Sequence, residues 1–187
     1  SKARSRVDEN KQYWPPLGLA YIAAVLRKNG HAVQILDRDL ILRKNRFDFD
    51  RADEVTLGLI KDFDTQIVGF SATTPNVSDV NAFSKKVKKS QPEIVTIIGG
   101  PHCAGEPVAT LQMCTGIDML VRGEGEMAML DIADGVAIGS VGSLTYRKSE
   151  GSIASNPDMC LIESLDVLPF PARDMLDMGY YTRPSRF

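Results

Sequence analysis

Ile94-Val95-Thr96-Ile97-Ile98-Gly99-Gly100-Pro101-His102 is the stretch that decides the fold. Its β-branched run has no polar alternation, the pattern of a strand buried on both faces of a parallel sheet. The run stops abruptly in two glycines and a proline. Two other stretches share the design. Ile67-Val68-Gly69-Phe70 breaks into Ser71-Ala72-Thr73-Thr74, and Met119-Leu120-Val121 breaks into Arg122-Gly123-Glu124-Gly125. A helical pattern follows each of the three. In an open parallel sheet the carboxyl ends of the strands share one edge, where ligands bind. Small residues at that edge let a bulky ligand approach the backbone. The sequence therefore reads as a binding domain whose ligand is large and touches several loops at once.

Working outward, Pro15-Pro16 opens an apolar helix over residues 17–28, stopped by Asn29-Gly30 with Gly30 left-handed. A helix apolar almost all round is packed on both sides. Residues 31–36 read as a strand, 37–50 as a charged loop and 51–62 as a helix. After the strand at 66–70, Pro75-Asn76 opens a helix with Val77, Val80, Phe83 and Val87 on one face and lysines on the other. Further elements follow: a strand at 93–98, a short helix at 106–113, a strand at 118–121 and a helix at 124–134. Alternating strands and helices give an α/β domain with a doubly wound parallel sheet. Beyond Gly135 the pattern changes to a β-hairpin, Leu144-Thr145-Tyr146-Arg147 and Ser152-Ile153-Ala154, and then to a proline-punctuated connector over 165–171 that packs along a surface. The expected organisation is a polar loop at 1–16, the binding domain at 17–135, and the hairpin and connector at 136–187. Nothing ahead of Pro15 reads as a strand, although doubly wound sheets place their first strand centrally. Either that strand lies upstream of residue 1 or the order is unusual.

Composition narrows the function classes. A chain of 187 residues suits one α/β domain with an appendage. The net charge of -2 leaves no electrostatic footprint for nucleic acid. Charges near the start (Lys2, Arg4, Arg6, Asp8, Glu9, Lys11) read as a solvated terminus. Cys103, Cys114 and Cys160 have no zinc-ligand spacing, and only His31 and His102 could join them. An odd thiol count without a secretory signal favours a reducing cytoplasm. The longest apolar run, 17–26, is interrupted by Gly18 and is too short for a bilayer. With no initiator Met, a polar opening and an uncapped tail, the sequence reads as part of a longer protein.

Each candidate constellation has a plainer reading beside it. Gly99-Gly100-Pro101-His102 permits close ligand approach, or is simply a tight strand-to-helix turn. Ser71, Thr73 and Thr74 place hydroxyls just past a strand, either for a ligand or for the turn, with Asn76 as a helix cap. Gly123-Glu124-Gly125-Glu126-Met127-Ala128 matches the letters of the dinucleotide fingerprint. It follows a late strand, however, and no ribose-binding acid stands about 20 residues on. A phosphoacceptor receiver needs Asp where Ser71 stands. His31 reads as structural. His102 is a hydrogen-bonding or metal-ligating candidate without a carboxylate partner. Cys103 reads as packing, not as a nucleophile.

Taken in order, these motifs resemble a known family. Pro15-Pro16-Leu17-Gly18-Leu19-Ala20-Tyr21-Ile22-Ala23-Ala24, Asn29-Gly30-His31-Ala32-Val33, Asp37, Val68-Gly69-Phe70-Ser71, Gly99-Gly100-Pro101-His102 and Val121-Arg122-Gly123-Glu124-Gly125-Glu126 look like the cobalamin-binding domain of cobalamin-dependent radical S-adenosylmethionine enzymes. The likeness extends through the hairpin and the connector to Asp174, covering about 13–176. It implies a Rossmann-like or flavodoxin-like domain that holds a corrinoid across its strand ends. It also implies a following radical S-adenosylmethionine barrel in cis, with a 4Fe-4S cluster on C-x-x-x-C-x-x-C. That cysteine triplet is not in this sequence and is expected just past Phe187.

By the same likeness, Leu17, Ser71, Thr74, Gly99, Gly100, Pro101, His102, Gly123, Glu124 and Gly125 are the cofactor-binding candidates. Ser71 and Thr74 would lie near the corrin or its tail. The glycines would admit the nucleotide tail, and His102 would hydrogen-bond the corrin edge. The motif D-x-H-x-x-G, which ligates cobalt in the other cobalamin-domain type, does not occur. The resemblance thus implies a corrinoid whose lower face has no protein imidazole. The parent would be a methyltransferase or a cyclase-like iron-sulfur enzyme. The second reading is a nucleotide-binding Rossmann module of an oxidoreductase. The third is an α/β scaffold for domain contacts.

Overall fold

The computed structural model describes residues 14–158 and 162–182. The polar opening through residue 13, Cys160 and residues 183–187 lie outside them.

Helix α1 (Leu17–Lys28) follows Pro16 and ends as expected, with Gly30 at φ 89°. Its Ala20, Ala23, Ala24 and Val25 are buried. The expected strand at 31–36 does not form: the segment is extended but belongs to no ladder. A groove separates it from β1, so it has no strand partner, and its one backbone bond among the described residues runs from the His31 N–H to the Leu26 carbonyl of α1. The expected charged loop at 37–50 also needs correction, because it contains helix α2 (Arg38–Lys44) and the start of α3 (Phe49–Phe63). Asp37 caps α2 by accepting from the Leu40 N–H, and Asp48 caps α3 by accepting from the Arg51 N–H. The charges concealed a short helix that buries little besides Leu40.

Strands β1 (Ile67–Ser71), β2 (Val95–Gly99) and β3 (Met119–Val121) are parallel, joined by α4 (Val77–Ser90) and α5 (Pro107–Met113). Helix α6 (Glu126–Ala133) follows β3. The α/β reading holds, with one difference: the sheet is mixed. Strand β4 (Leu144–Arg147) pairs antiparallel with β3, and β5 (Ile153–Ser155) pairs antiparallel with β4, giving the order β1-β2-β3-β4-β5. The hairpin is therefore the far edge of the same sheet.

Successive strand residues feed opposite faces. Ile98 and Leu120 pack with Val77, Val80, Leu111 and Ile117 on one side. Ile97 and Val121 pack with Ala128, Ile132 and Leu144 on the other. Phe83, Val87 and Ile60 extend the first layer beside Val68 and Phe70. Helix α1 lies against α6.

The connector departs from expectation. Leu165, Val167 and Phe170 project outward, with Phe170 95% exposed. Leu168, Pro169 and Pro171 are half-buried, and the Ala172 N–H then donates to the Ala20 carbonyl. Asp174 then meets Arg27 at 2.6 Å. A short helix α7 (Met178–Tyr181) closes the described chain.

Candidate functional site at the carboxyl edge of the sheet

Ser71 and Gly99 end their strands in register, which brings the first two loops together. The Ala72 N–H donates to the Gly99 carbonyl at 2.8 Å, and the His102 N–H donates to the Ala72 carbonyl at 3.1 Å. These two bonds weld the β1 loop to the β2 loop. Gly100 lies in the weld at φ 98° and ψ -179°, a region open essentially only to glycine. A Cβ there would stand 2.8 Å from the Ala72 carbonyl oxygen and 3.0 Å from its nitrogen. Gly100 is thus glycine because of its own chain. Gly99 is less constrained, for its Cβ would meet only the Val121 carbonyl at 3.8 Å.

Pro101 takes the first position of a 3-10 turn that carries His102 and buried Cys103. The His102 ring lies between two threonines, with Nδ1 3.2 Å from Thr74 Oγ1 and Nε2 3.5 Å from Thr110 Oγ1. The Thr110 hydroxyl gives its hydrogen to the Glu106 carbonyl, so it can only accept from the ring. Nε2 therefore carries the proton and Nδ1 accepts from Thr74. Neither nitrogen of this tautomer offers a free lone pair to a metal. Thr74 keeps its oxygen lone pairs for an incoming N–H donor. Thr110 is a site residue that the sequence reading missed. The i,i+4 back-bond of a helical threonine to Glu106 leaves no mark in the sequence.

The exposed hydroxyls of Ser71 and Thr73 form no hydrogen bond among the described residues. Asn76 stands at the cap position of α4 but does not cap it. Its Oδ1 turns back and accepts from the Thr73 N–H, which fixes the β1 loop instead.

Beyond β3, Gly123 is exposed at φ 69°, and nothing lies within 4 Å of where its Cβ would be. Its neighbour Glu124 accepts from the Ile162 N–H at 3.0 Å and so ties the chain after the hairpin to this loop. At Gly125 a Cβ would press on Ile22 of α1 at 3.1 Å. That glycine serves helix packing. Leu17 stands on the first turn of α1, 38% exposed. The loops after β1 and β2 are bonded to each other. The β3 loop joins them through the Gly99–Val121 approach, and Leu17 stands apart.

Arg122 was not singled out from the sequence, yet it organises the loop. Its guanidinium donates to Asp158, to Thr145 Oγ1 and to the Asn156 carbonyl, locking β3 to the hairpin. His31 bonds Asp134 at the end of α6 and is structural, as expected. Burial pushes the Cys103 thiol up to about 12, where it is no nucleophile. No group of His, Cys, Asp and Glu among the described residues is arranged to hold a metal ion. No described helix is long and apolar enough to cross a membrane.

A cavity of about 680 Å³ lies beside β1. It takes in Ser71, Thr73 and Asn76 but none of Gly99 to His102 or Gly123 to Gly125.

Together, fold and rim define a class: an open α/β domain whose strand ends carry hydroxyls and bare backbone, the edge where ligands bind in such sheets. The model of the B12 binding domain family matches residues 4–133, and the chain belongs to that family. Among curated proteins it is 34% identical over 175 residues to an uncharacterized methyltransferase of Pyrococcus horikoshii, covering 89% of this chain and 35% of that protein. It is 31% identical over 160 residues to the anaerobic magnesium-protoporphyrin IX monomethyl ester cyclase of Rubrivivax gelatinosus, covering 82% and 28%. Its fold is similar to the radical S-adenosylmethionine methyltransferase TsrM from Kitasatospora setae, solved with cobalamin and a [4Fe-4S] cluster bound. The TM-score there is 0.61 at 18% identity, over 95% of this chain and 34% of that one. The chain spans about a third of the length of these three proteins.

Proposed function

We propose that this domain holds a cobalamin across the rim formed by the loops after β1, β2 and β3, as the cofactor module of a radical S-adenosylmethionine methyltransferase or cyclase-like enzyme. The observation that carries the reading is the match of the B12 binding domain family over residues 4–133, falling on a sheet edge built of hydroxyls and bare glycine backbone. The residues fit the group. Free hydroxyls at Ser71 and Thr73 and the acceptor oxygen of Thr74 suit the amide-rich periphery of a corrinoid. Gly99 and the open side of Gly123 leave backbone reachable by its nucleotide tail. Leu17, which stands apart from these loops, is not assigned a contact. Gly100 and Gly125 act indirectly, by permitting the loop weld and the α1–α6 approach, and Pro101 opens the turn that carries His102. Glu124 positions the chain after the hairpin.

Bound methylcobalamin supplies a transferable methyl group. The protein's share is to seat and orient the ring without ligating the metal. His102 is engaged on both nitrogens by threonines, so its part is to hold the Thr74 hydroxyl and to line the corrin edge. The cluster and S-adenosylmethionine belong to the rest of the polypeptide, as a barrel in cis. The substrate is set there too.

The test is retention of hydroxocobalamin. The chain is mixed with excess corrinoid, desalted and scanned in the visible. Retained colour near one equivalent with a base-off spectrum is expected. A colourless chain overturns the reading, and retained NADH fluorescence instead would support the oxidoreductase alternative.

A further inference from the structure

The Asn76 side chain stands at the start of α4 without capping it. The Thr73 N–H donates to its Oδ1 at 2.8 Å, and the Asn76 N–H donates to the Thr73 carbonyl at 3.1 Å. The Asn76 carbonyl accepts from the Asp79 and Val80 N–H groups of α4. An N–H donor can meet only the oxygen of a side-chain amide, so the orientation of this amide is fixed. Three of the four polar groups of Asn76 are thereby used by the turn. The fourth, Nδ2, carries two hydrogens, and neither has a partner among the described residues. The residue is exposed. A donor already held in place loses little freedom when a ligand accepts from it.

The charges around Asn76 say what that ligand group is. Asp79 follows it in the first turn of α4, and Asp37 and Asp39 open the neighbouring helix α2. Arg38 is the cation between them. Its guanidinium donates to Asp53 at 2.8 Å and to Asp79 at 3.2 Å, and it lies 3.8 Å over the Phe83 ring. Its charge is thus committed to two carboxylates. The local field is negative. An anionic oxygen brought to Nδ2 would meet uncompensated carboxylates, whereas a neutral carbonyl oxygen would not.

We infer that Asn76 is a ligand-contact residue, whose Nδ2 donates to the carbonyl oxygen of an uncharged side-chain amide on the corrinoid. The inference rests on the corrinoid reading and narrows it. This corner of the rim accepts corrinoids with amidated side chains and disfavours those with carboxylates in the same positions. The free hydroxyls of Ser71 and Thr73 belong to the same loop, and a hydroxyl oxygen can accept from the NH2 of such an amide.

Asn76→Asp separates the two ends of the side chain. It keeps an oxygen for the Thr73 N–H and removes both Nδ2 hydrogens. The melting temperature should stay within about 2 °C of the parent chain. Absorbance titration with dicyanocobinamide, which has the amides and lacks the nucleotide, should show binding weakened about tenfold. A second comparison needs no variant: dicyanocobyrinic acid, whose side chains end in carboxylates, should bind the parent chain at least about tenfold more weakly than dicyanocobinamide. Equal binding of dicyanocobinamide by variant and parent overturns the inference, as does equal binding of the two corrinoids by the parent. A larger fall in melting temperature would mean that the amide hydrogens serve the fold, which also overturns it. A loss seen with hydroxocobalamin but not with dicyanocobinamide would put Nδ2 on the phosphate of the nucleotide tail and overturn the amide assignment. A parent chain that takes up neither cobinamide nor hydroxocobalamin would overturn the corrinoid reading itself, and this inference with it.

Discussion

The carbonyl oxygen of Ala72 stands where a side chain on Gly100 would begin: a Cβ there would be 2.8 Å away. The same carbonyl accepts the His102 N–H, so the close approach and the bond that welds two loops are one feature. Gly100→Ala therefore has to break the weld as well as adopt a φ of 98°. We expect a loss of about 2–3 kcal/mol, combining the backbone strain with the clash. Thermal or urea unfolding measures it. A loss under about 0.5 kcal/mol, the size of an ordinary surface change, would show that the two loops are not coupled this way.

Gly99→Ala separates ligand contact from folding. Its Cβ would meet the Val121 carbonyl at an ordinary 3.8 Å, so the fold should tolerate it. The melting curve should stay within about 0.5 kcal/mol of the parent, the range of neutral substitutions. If a corrinoid tail runs over this backbone, retention of hydroxocobalamin should fall about tenfold, the effect of some 1.4 kcal/mol in binding. Unchanged retention would remove Gly99 from the site.

The His102 tautomer follows from a chain of donors: Thr74 to Nδ1, Nε2 to Thr110, Thr110 to Glu106. Nitrogen NMR of the neutral ring should show the hydrogen on Nε2. Thr110→Val removes the acceptor and should let the tautomers mix, with little change in fold because valine matches threonine in shape. A hydrogen on Nδ1 in the parent chain would reverse the donor order.

Asp37 caps α2 while partly buried, and burial raises its carboxyl from the ordinary 3.8. The folded chain then holds this proton to a higher pH than the unfolded chain. The sign follows: this contribution is greatest below the ordinary value and declines as pH rises through the folded value, leaving a constant deficit above it. Asp37→Asn keeps an acceptor for Leu40 and removes the charge. It should flatten that part of the pH–stability curve, whereas Asp37→Ala should cost about 1 kcal/mol at neutral pH through loss of the cap. A steeper curve for the Asn variant would contradict the direction.

Cys103 and Cys114 are both fully buried, and burial raises both thiols, Cys103 to about 12. Neither should be alkylated by iodoacetamide at pH 8 until the chain unfolds. Mass spectrometry of the labelled peptides reads this directly. Modification at the rate of a free thiol would place them at the surface.

Much of this was legible because it depends on local pattern. The β-branched run 94–98, the alternating helices and the strand stops at Ser71, Gly99 and Val121 each carry their own signal, and the hairpin is spelled by its turn. What escaped depends on distant partners. Residues 31–36 have the composition of a strand, but a strand exists only with a neighbour to bond. Arg38 to Lys44 read as a charged loop because one buried Leu40 gives no periodicity, and only the Asp37 cap signals the helix. Gly100 and Gly125 read in the sequence as cofactor-binding positions, and the constraint visible on each comes from the chain itself, Ala72 and Ile22. Leu165, Val167 and Phe170 read in the sequence as a connector packed along a surface, and their composition does not reveal that they project outward.

The account stands on a rim that seats a corrin ring while leaving its metal free of protein nitrogen. Electron paramagnetic resonance of cob(II)alamin bound to the chain measures this most directly. The predicted spectrum comes from protein-bound corrinoid and shows cobalt lines without nitrogen splitting. Nitrogen triplets that vanish in His102→Ala would contradict it, as would a corrinoid that separates entirely from the protein on gel filtration.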